Sequence, residues 1–274
     1  MNWLVISTVM AGTIALMGIA CAKEPANTNH YDSVNMLRRS AEAGNSDSQV
    51  KLGYEYYRAI GVPRDYTKAM KWFRLAAAHA NSDAEFYIGV IYDDGDGVKS
   101  DPVEAVKWYR RAASTGNLAA QFNLGAAYDF GHGTRQDYNL AMKWYRIAAK
   151  RNFAAAQFFL AHMYYLGHGV QKNYAEAAKW YLRSAKNGFA AAEFKLGVIY
   201  AGGQGVPLDL SAAYFWTAVA KDNQGASSQI QSDAVNNLSI IASQLSNAEI
   251  KRLRARAAIW VKSHPYNDCP ECRG

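Results

Sequence analysis

Three cysteines carry the most reactive side chains in this chain of 274 residues. Cys269 and Cys272 stand in a Cys-x-x-Cys near the carboxyl end, a spacing found in disulfides, thiol redox sites and metal sites. A zinc site of this kind takes four ligands, and the sequence has no second cysteine pair. Thioredoxin-like chemistry needs a βαβ context, which the sequence lacks. In an oxidising compartment we expect a local disulfide between the two, with an exposed functional thiol pair as the alternative.

Histidines at a regular spacing are the second candidate for chemistry. His132 and His168 each lie in a Gly-His-Gly segment, 36 residues apart, and His162 is the obvious third ligand for a metal. Other copies of this segment hold different residues at the same place: Ile60, Asp96 and Gln204. Because the position varies and the spacing matches no established ligand pattern, we expect no metal and no other cofactor.

Motifs for covalent or phosphate chemistry are missing from the sequence. It contains no Gly-x-Ser-x-Gly nucleophile elbow, no His-Glu-x-x-His zinc motif and no phosphate-binding loop. Its Gly-x-Gly pairs recur along the chain and do not follow predicted strands, so a phosphate role is not expected. We therefore predict a protein that is not an enzyme.

The amino-terminal segment has the composition of an export signal. Residues 3–20 are apolar or small and uncharged, which is long enough for the core of a signal peptide. Residues 18–21 resemble a lipobox in which Cys21 would be lipidated, although Gly18 stands where Leu is usual. Residues 20–22 form instead an A-x-A site for ordinary cleavage, and a retained anchor is the third alternative. All three place the body outside the cytoplasm, and we expect the periplasm of a Gram-negative bacterium.

The charge of the chain limits the class of partner. The formal net charge is +7 at pH 7, and residues 1–20 contribute no charged side chain to it. A positive charge suits an acidic partner or an anionic surface. It is modest for this length and spread over many predicted helices, so we expect no nucleic-acid partner and no membrane contact beyond a lipid anchor.

Internal repetition organises most of the sequence. Five columns of identical or nearly identical residues recur every 36 positions. The columns are Trp72, Trp108, Trp144, Trp180 and Trp216; Tyr56, Tyr92, Tyr128, Tyr164 and Tyr200; Gly53, Gly89, Gly125, Ala161 and Gly197; Gly61, Gly97, Gly133, Gly169 and Gly205; and Ala69, Ala105, Ala141, Ala177 and Ala213. A fixed period of this length is the signature of stacked structural repeats.

Each copy predicts two helices joined by a turn. In one copy, residues 82–85 form a capping box, and apolar residues at helical spacing follow until Gly95. Asp101 and Pro102 then predict the N-cap and the first residue of a second helix. A glycine inside a helix, such as Gly89, costs about 1 kcal/mol relative to alanine, which indicates close helix approach at that column.

The repeat resembles a known family. One copy consists of residues 84–92 (AEFYIGVIY), residues 95–98 (GDGV), Asp101, Ala105, Trp108 and the pair Ala112-Ala113. This pattern resembles the Sel1-like repeat of the tetratricopeptide-like superfamily over about residues 40–220. The resemblance implies an all-α, right-handed superhelical solenoid whose motif residues are structural. We expect a signal at 1–20, a tether at 21–31, the repeat array at 32–223, a pair of C-terminal capping helices at 224–263 and a tail at 264–274.

A face that varies between the copies is the predicted binding surface. Columns that repeat are needed for packing, whereas positions that vary on one face of the first helices are free to contact a partner. In related hairpin repeats the first helices line the concave surface. The predicted binding residues are Lys51, Glu55, Arg58, Tyr87, Asp94, Asn123, Phe130, Phe159, His162, Leu166 and Lys195. The alternative is that Phe159, Met163 and Leu166 belong to the core between repeats.

The sequence therefore favours a non-catalytic protein of the cell envelope that binds another protein through the concave face of its repeats. A narrower alternative is an immunity protein that neutralises a secreted toxic effector, such as a phospholipase acting in the envelope. A β-lactam-binding or hydrolysing enzyme is a further alternative. Relatives described with that activity carry a cysteine pair in each repeat, and these repeats carry none.

Overall fold

A computed structural model describes the backbone of residues 28–264 and the side chains of residues 34–264. This part of the chain contains thirteen α-helices and no strand, which confirms the predicted all-α repeat fold. The helices are α1 (Thr28–Glu42), α2 (Ser46–Arg58), α3 (Tyr66–Ala77), α4 (Ser82–Asp94), α5 (Pro102–Ser114), α6 (Leu118–Phe130), α7 (Tyr138–Lys150), α8 (Ala154–Leu166), α9 (Tyr174–Lys186), α10 (Ala190–Gly202), α11 (Leu210–Asp222), α12 (Ser228–Ala242) and α13 (Asn247–Ser263). Cys21, Cys269 and Cys272 lie outside the described residues.

The helices form two compact units, which contain residues 28–148 and 149–264 of the described chain. In the first unit, each of the helices α1 to α5 contacts the helix that follows it. In the second unit, each of the helices α8 to α11 contacts the helix that follows it, and α13 packs against α11. A hairpin that cannot bury its apolar stripe alone must stack on its neighbours, and these contacts provide that burial. Between residues 28 and 264, no helix has the length and apolar character needed to cross a membrane.

Polar side chains define where the helices begin. Helix α4 starts one residue earlier than its predicted capping box implied, because Asn81, not Ser82, is the N-cap and accepts two backbone N–H groups of the first turn. The Ser82 prediction was therefore wrong. Asp101 caps α5 with Pro102 in its first turn, as predicted. Ser246 and Glu249 form a capping box at the start of α13.

The glycines inside the first helices permit close packing of aromatic rings. A Cβ atom at Gly89 would lie 2.6 Å from the ring of Tyr109, which is 2% exposed. The same pairing recurs in the neighbouring hairpins, where Gly53 meets Phe73 and Gly125 meets Tyr145, each with a closest approach of 2.8 Å. The predicted close approach is therefore confirmed, and its partner is an aromatic ring of the second helix at these three glycines and the side chain of Thr217 at Gly197.

Candidate protein-binding surfaces

The seven predicted binding residues of the first unit divide into surface and core. Lys51 and Asp94 are exposed, and Arg58, Tyr87 and Phe130 are partly buried. Two side chains are instead almost completely buried, Glu55 at 6% exposed and Asn123 at 6%. These two pack inside the repeats, so the surface that a partner could reach in this unit is smaller than the sequence suggested.

A cluster of tyrosines and aspartates forms the most distinctive part of this surface. We call it the Tyr–Asp face and define it as Tyr54, Tyr57, Tyr87, Asp94 and Asp96. Tyr87 joins the other two rings, with centroids 5.4 Å from Tyr54 and 6.4 Å from Tyr57. All three tyrosines are partly exposed. The cluster therefore presents aromatic area at the end of α2 and along α4.

The aspartates give the Tyr–Asp face a negative character. Tyr57 hydrogen-bonds Asp96, and burial together with this carboxylate raises the pKa of the Tyr57 hydroxyl. Desolvation, followed by repulsion from Asp93 and Asp96, raises the pKa of Asp94 to about 6. A carboxylate held among like charges is stabilised by an approaching cation, because the cation favours its ionised form. The face is therefore suited to basic side chains.

Hydrogen bonds that span 39 residues connect successive repeats, and the sequence did not reveal them. The carboxylate of Asp93 on α4 lies 2.8 Å from His132 Nε2 in the turn after α6. The bond between Tyr57 and Asp96 has the same spacing. In the second unit the hydroxyl of Tyr165 donates to Gln204 at 3.0 Å. In each pair, a residue near the end of a first helix and the middle residue of the turn 39 positions later form a hydrogen-bond donor and acceptor. The sequence signal for these bonds was this complementary pairing at positions i and i+39. The middle residue of the turn varies between repeats because its partner varies too.

The ion pair of Asp93 and His132 predicts how the pKa of the His132 imidazole depends on Asp93. The hydrogen bond to Asp93 raises the pKa of the His132 imidazole above its ordinary value of 6.5, although partial burial opposes the shift. We expect Asp93→Asn to lower that pKa, as followed by the imidazole chemical shifts in NMR. Because the folded-state pKa is the higher one, the stabilisation is complete below pH 6.5 and is lost as pH rises through the folded-state pKa. An unchanged His132 titration in Asp93→Asn would contradict the pairing.

The four predicted binding residues of the second unit lie in and around an aromatic cluster. Phe159 is 7% exposed, and Met163, its neighbour on α8, is 2% exposed, so both belong to the core as the alternative interpretation proposed. Leu166 is 40% exposed. His162 and Lys195 are partly buried. Only Leu166 among these four presents a large apolar side chain to the surroundings.

The surroundings of His162 are mainly aromatic and hold no acid that would favour its charged form. Its ring is nearly parallel to those of Phe158 and Tyr165, with centroids 6.1 Å and 6.4 Å away, and Nδ1 lies 3.1 Å from the hydroxyl of Tyr181. Desolvation, followed by the charges of Lys195 and His168, lowers the pKa of His162 to about 4. The imidazole is therefore neutral at physiological pH and acts as a packed ring. Within residues 34–264, no group of three or more His, Cys, Asp or Glu side chains is arranged to hold a metal.

Comparison with known proteins identifies the repeat. The family model described as Sel1 repeat matches five consecutive segments, residues 46–81, 82–117, 118–153, 154–189 and 190–223. The chain belongs to the Sel1 repeat family. The first four segments have the 36-residue length of the period and the fifth has 34 residues, and each contains one first helix and one second helix. No curated protein matches the chain.

Two solved structures with TM-scores above 0.5 support this assignment, and a third with a lower score is also similar. A Sel1 repeat protein from Oxalobacter formigenes is 34% identical, with a TM-score of 0.67 over 81% of this chain and 90% of that one. A protective antigen present in uropathogenic Escherichia coli strains is 27% identical, with a TM-score of 0.56 over 95% of this chain. This chain spans 61% of that antigen. An immunity protein from Pseudomonas aeruginosa is 18% identical, with a TM-score of 0.48 over 88% of this chain and 83% of that one.

Proposed function

We propose that this Sel1 repeat protein binds another protein through the Tyr–Asp face, and that the partner contributes a segment with basic and apolar side chains. The observation that carries the proposal is the face itself, where three partly exposed tyrosine rings meet and the charge of the exposed Asp94 acts on Tyr57. Tyrosine rings are common at protein interfaces because they bury a large area at a low cost in conformational entropy.

The variation between repeats supports the same site. The positions of Tyr87 and Asp94 are occupied by Asn123 and Phe130 one repeat later, whereas the Trp and Ala columns are unchanged. Sel1 repeats mediate protein–protein interaction, and differences on a shared scaffold are the means by which such repeats distinguish partners. The acidic character of the face selects a basic segment by charge complementarity.

Reversing one exposed charge tests the proposed site. We expect Asp94→Lys to reduce recovery of the partner from envelope extracts by about tenfold, because a close charge pair is replaced by repulsion. Recovery by the wild-type protein should also increase between pH 5 and pH 7, as Asp94 ionises with its pKa of about 6. Quantitative mass spectrometry of the captured proteins measures both effects.

The control for this experiment lies on the second helix of the preceding hairpin. Lys71 on α3 is exposed, and Lys71→Glu changes the charge by the same amount with the opposite sign. We expect it to leave recovery unchanged. Thermal melts of both variants should match the wild type, because neither residue is buried. Equal recovery by Asp94→Lys and the wild type would exclude the Tyr–Asp face as the binding site.

The proposal also covers where in the cell the protein binds its partner and which biological role that binding serves. The apolar segment at residues 3–20 supports secretion, and Cys21 supports lipidation, so we propose that binding takes place in the cell envelope. The immunity role and the β-lactam activity stay predictions. Survival of cells that lack the protein during attack by neighbours tests the first, and nitrocefin turnover by purified protein tests the second.

A further inference from the structure

Helix α13 concentrates positive charge at the end of the second unit. Its seventeen residues include five cations and a single acid, Glu249. The cations are Lys251, Arg252, Arg254, Arg256 and Lys262, and all five are exposed. None of them has a carboxylate within 4.0 Å among the described residues. The formal charge of this one helix is thus +4, more than half of the +7 of the whole chain.

A groove runs along one side of this helix, between α13 and α11. We call it the Trp260 groove and define it by Trp260, Phe215, Trp216, Ile259 and Arg256, which line its α11 and α13 walls. The groove has a volume of about 600 Å³. The rings of Phe215, Trp216 and Trp260 meet edge to face, with centroids 5.1 to 5.9 Å apart, and Ile259 is 68% exposed. The walls therefore offer apolar area that the described residues leave uncovered.

The charged residues of the groove favour a negatively charged ligand. Arg256 lies over the ring of Phe215, with its guanidinium carbon 5.2 Å from the centroid, and Lys186 also lines the groove. Asp209 is the acid among the lining residues, so the cations outnumber it two to one.

We propose that the Trp260 groove binds an acidic segment of a partner protein, with an aromatic or large aliphatic side chain in the groove and a carboxylate on Arg256. The concave, aromatic shape favours a peptide over a bilayer, because a flat lipid surface cannot fill a groove beside a helix. The positive charge of α13 steers acidic segments to it. This surface is independent of the Tyr–Asp face, since it lies in the other unit and selects the opposite charge.

A defined peptide pair tests the proposal with the full-length protein. The probe is a fluorescein-labelled ten-residue peptide that alternates Glu with Phe and Leu, and its control replaces each Glu with Lys. We expect fluorescence anisotropy to show binding of the acidic peptide at least tenfold tighter than that of the basic one. Equal affinities for the two peptides would overturn the proposal.

Variants of α13 locate the binding within the helix. We expect Arg256→Glu to weaken binding at least tenfold, because it replaces the cation that meets the peptide carboxylate with a like charge. Lys251→Glu makes the same charge change on an exposed residue that does not line the groove, and we expect a loss below threefold. Equal losses from Arg256→Glu and Lys251→Glu would show a general charge effect and overturn the assignment to the groove.

Two further measurements distinguish other occupants of the same surface. Co-sedimentation with phosphatidylglycerol vesicles that is equally sensitive to Arg256→Glu and Lys251→Glu would favour a lipid surface and contradict the proposal. Sedimentation velocity that shows a dimer dissociated by Arg256→Glu would identify a second copy of this chain as the occupant and also contradict it. A monomer with no vesicle binding, together with the expected peptide selectivity, supports the proposal.

Discussion

Gly133→Ala is expected to lower the free energy of unfolding of the first unit by about 3 kcal/mol, because two penalties combine at this position. Gly133 has a φ of +66°, and an alanine in this left-handed region costs about 1 to 2 kcal/mol. A Cβ atom there would also overlap the carbonyl group of Pro102, which begins α5 of the preceding repeat. Backbone must therefore move, and overpacking of this kind costs about 1 to 3 kcal/mol. Urea unfolding followed by circular dichroism measures the change.

A second glycine in the same unit separates the two penalties. Gly44 has a φ of +93°, and no atom lies within 4 Å of the place where its Cβ would be. Gly44→Ala therefore carries the conformational penalty alone, and we expect a smaller loss than for Gly133→Ala. Equal losses would show that the contact between the turn and the preceding repeat contributes nothing to stability, which would contradict the stacking described above.

Glu193→Gln is expected to stabilise the protein by about 2 kcal/mol at pH 8. Glu193 is 1% exposed, and desolvation raises its pKa to about 7 even though Asn223 donates a hydrogen bond to it. Ionising it in the folded state is therefore unfavourable. A shift of one pKa unit corresponds to about 1.4 kcal/mol, so the full penalty is about 3 kcal/mol. The amide removes this penalty, and part of the gain is offset by the need to satisfy its N–H groups.

The other repeats show how the new amide would be satisfied. The same column holds glutamine in three repeats, and each amide donates to a backbone carbonyl eight residues earlier. These bonds join Gln49 to Ala41 at 3.1 Å, Gln121 to Ala113 at 3.2 Å and Gln157 to Ala149 at 3.0 Å. Glutamine at 193 would reach Ala185 in the same way, while its oxygen keeps the bond from Asn223.

The pH dependence gives this prediction a definite sign. The unfolded chain loses the proton of Glu193 near pH 4.5, whereas the folded chain keeps it until about pH 7. Stability of the wild type therefore decreases between these values and stays low above them. We expect the advantage of Glu193→Gln to be largest at pH 8 and to fall below about 1 kcal/mol at pH 5. An advantage that does not change with pH would contradict a buried, ionised Glu193.

The matched control is the other glutamate of the column. Glu85 is 3% exposed, but Arg111 lies 2.8 Å from its carboxylate and compensates its charge. Glu85→Gln removes one partner of this pair, so we expect no stabilisation at pH 8 and a loss of about 1 kcal/mol or more. Stabilisation by Glu85→Gln equal to that by Glu193→Gln would show that charge removal alone, and not the surroundings of Glu193, decides the outcome.

Periodicity made the fold predictable, because every copy repeats the same requirement for packing. The contact between Gly89 and the ring of Tyr109 follows from a column of helix glycines, which would otherwise be unfavourable. The start of α4 was less certain from the sequence, since Asn81 and Ser82 are adjacent and both are good N-caps. Residue type alone therefore does not determine which of the two residues is the N-cap.

The candidate site was harder to predict, because the helix face on which a residue lies does not determine how deeply its side chain is buried. Tyr87 and Asn123 occupy the same place in successive repeats, yet Tyr87 is partly exposed and Asn123 is buried. Tyr87 contacts the rings of Tyr57 and Phe73, whereas Asn123 hydrogen-bonds Tyr109, and these neighbours come from other helices. The bonds between positions i and i+39 were missed for a similar reason, since each joins residues of different repeats.

Photo-crosslinking in intact cells tests most directly the central claim that this Sel1 repeat protein binds a protein through the Tyr–Asp face. The crosslinker p-benzoyl-phenylalanine replaces the partly exposed Tyr87 on α4, which keeps the Asp94 carboxylate, or, as the control, the exposed Lys71 on α3. We predict one specific protein adduct from position 87 and none from position 71, with the adduct reduced by Asp94→Lys. An adduct from position 71 alone, or none from position 87, would contradict the claim.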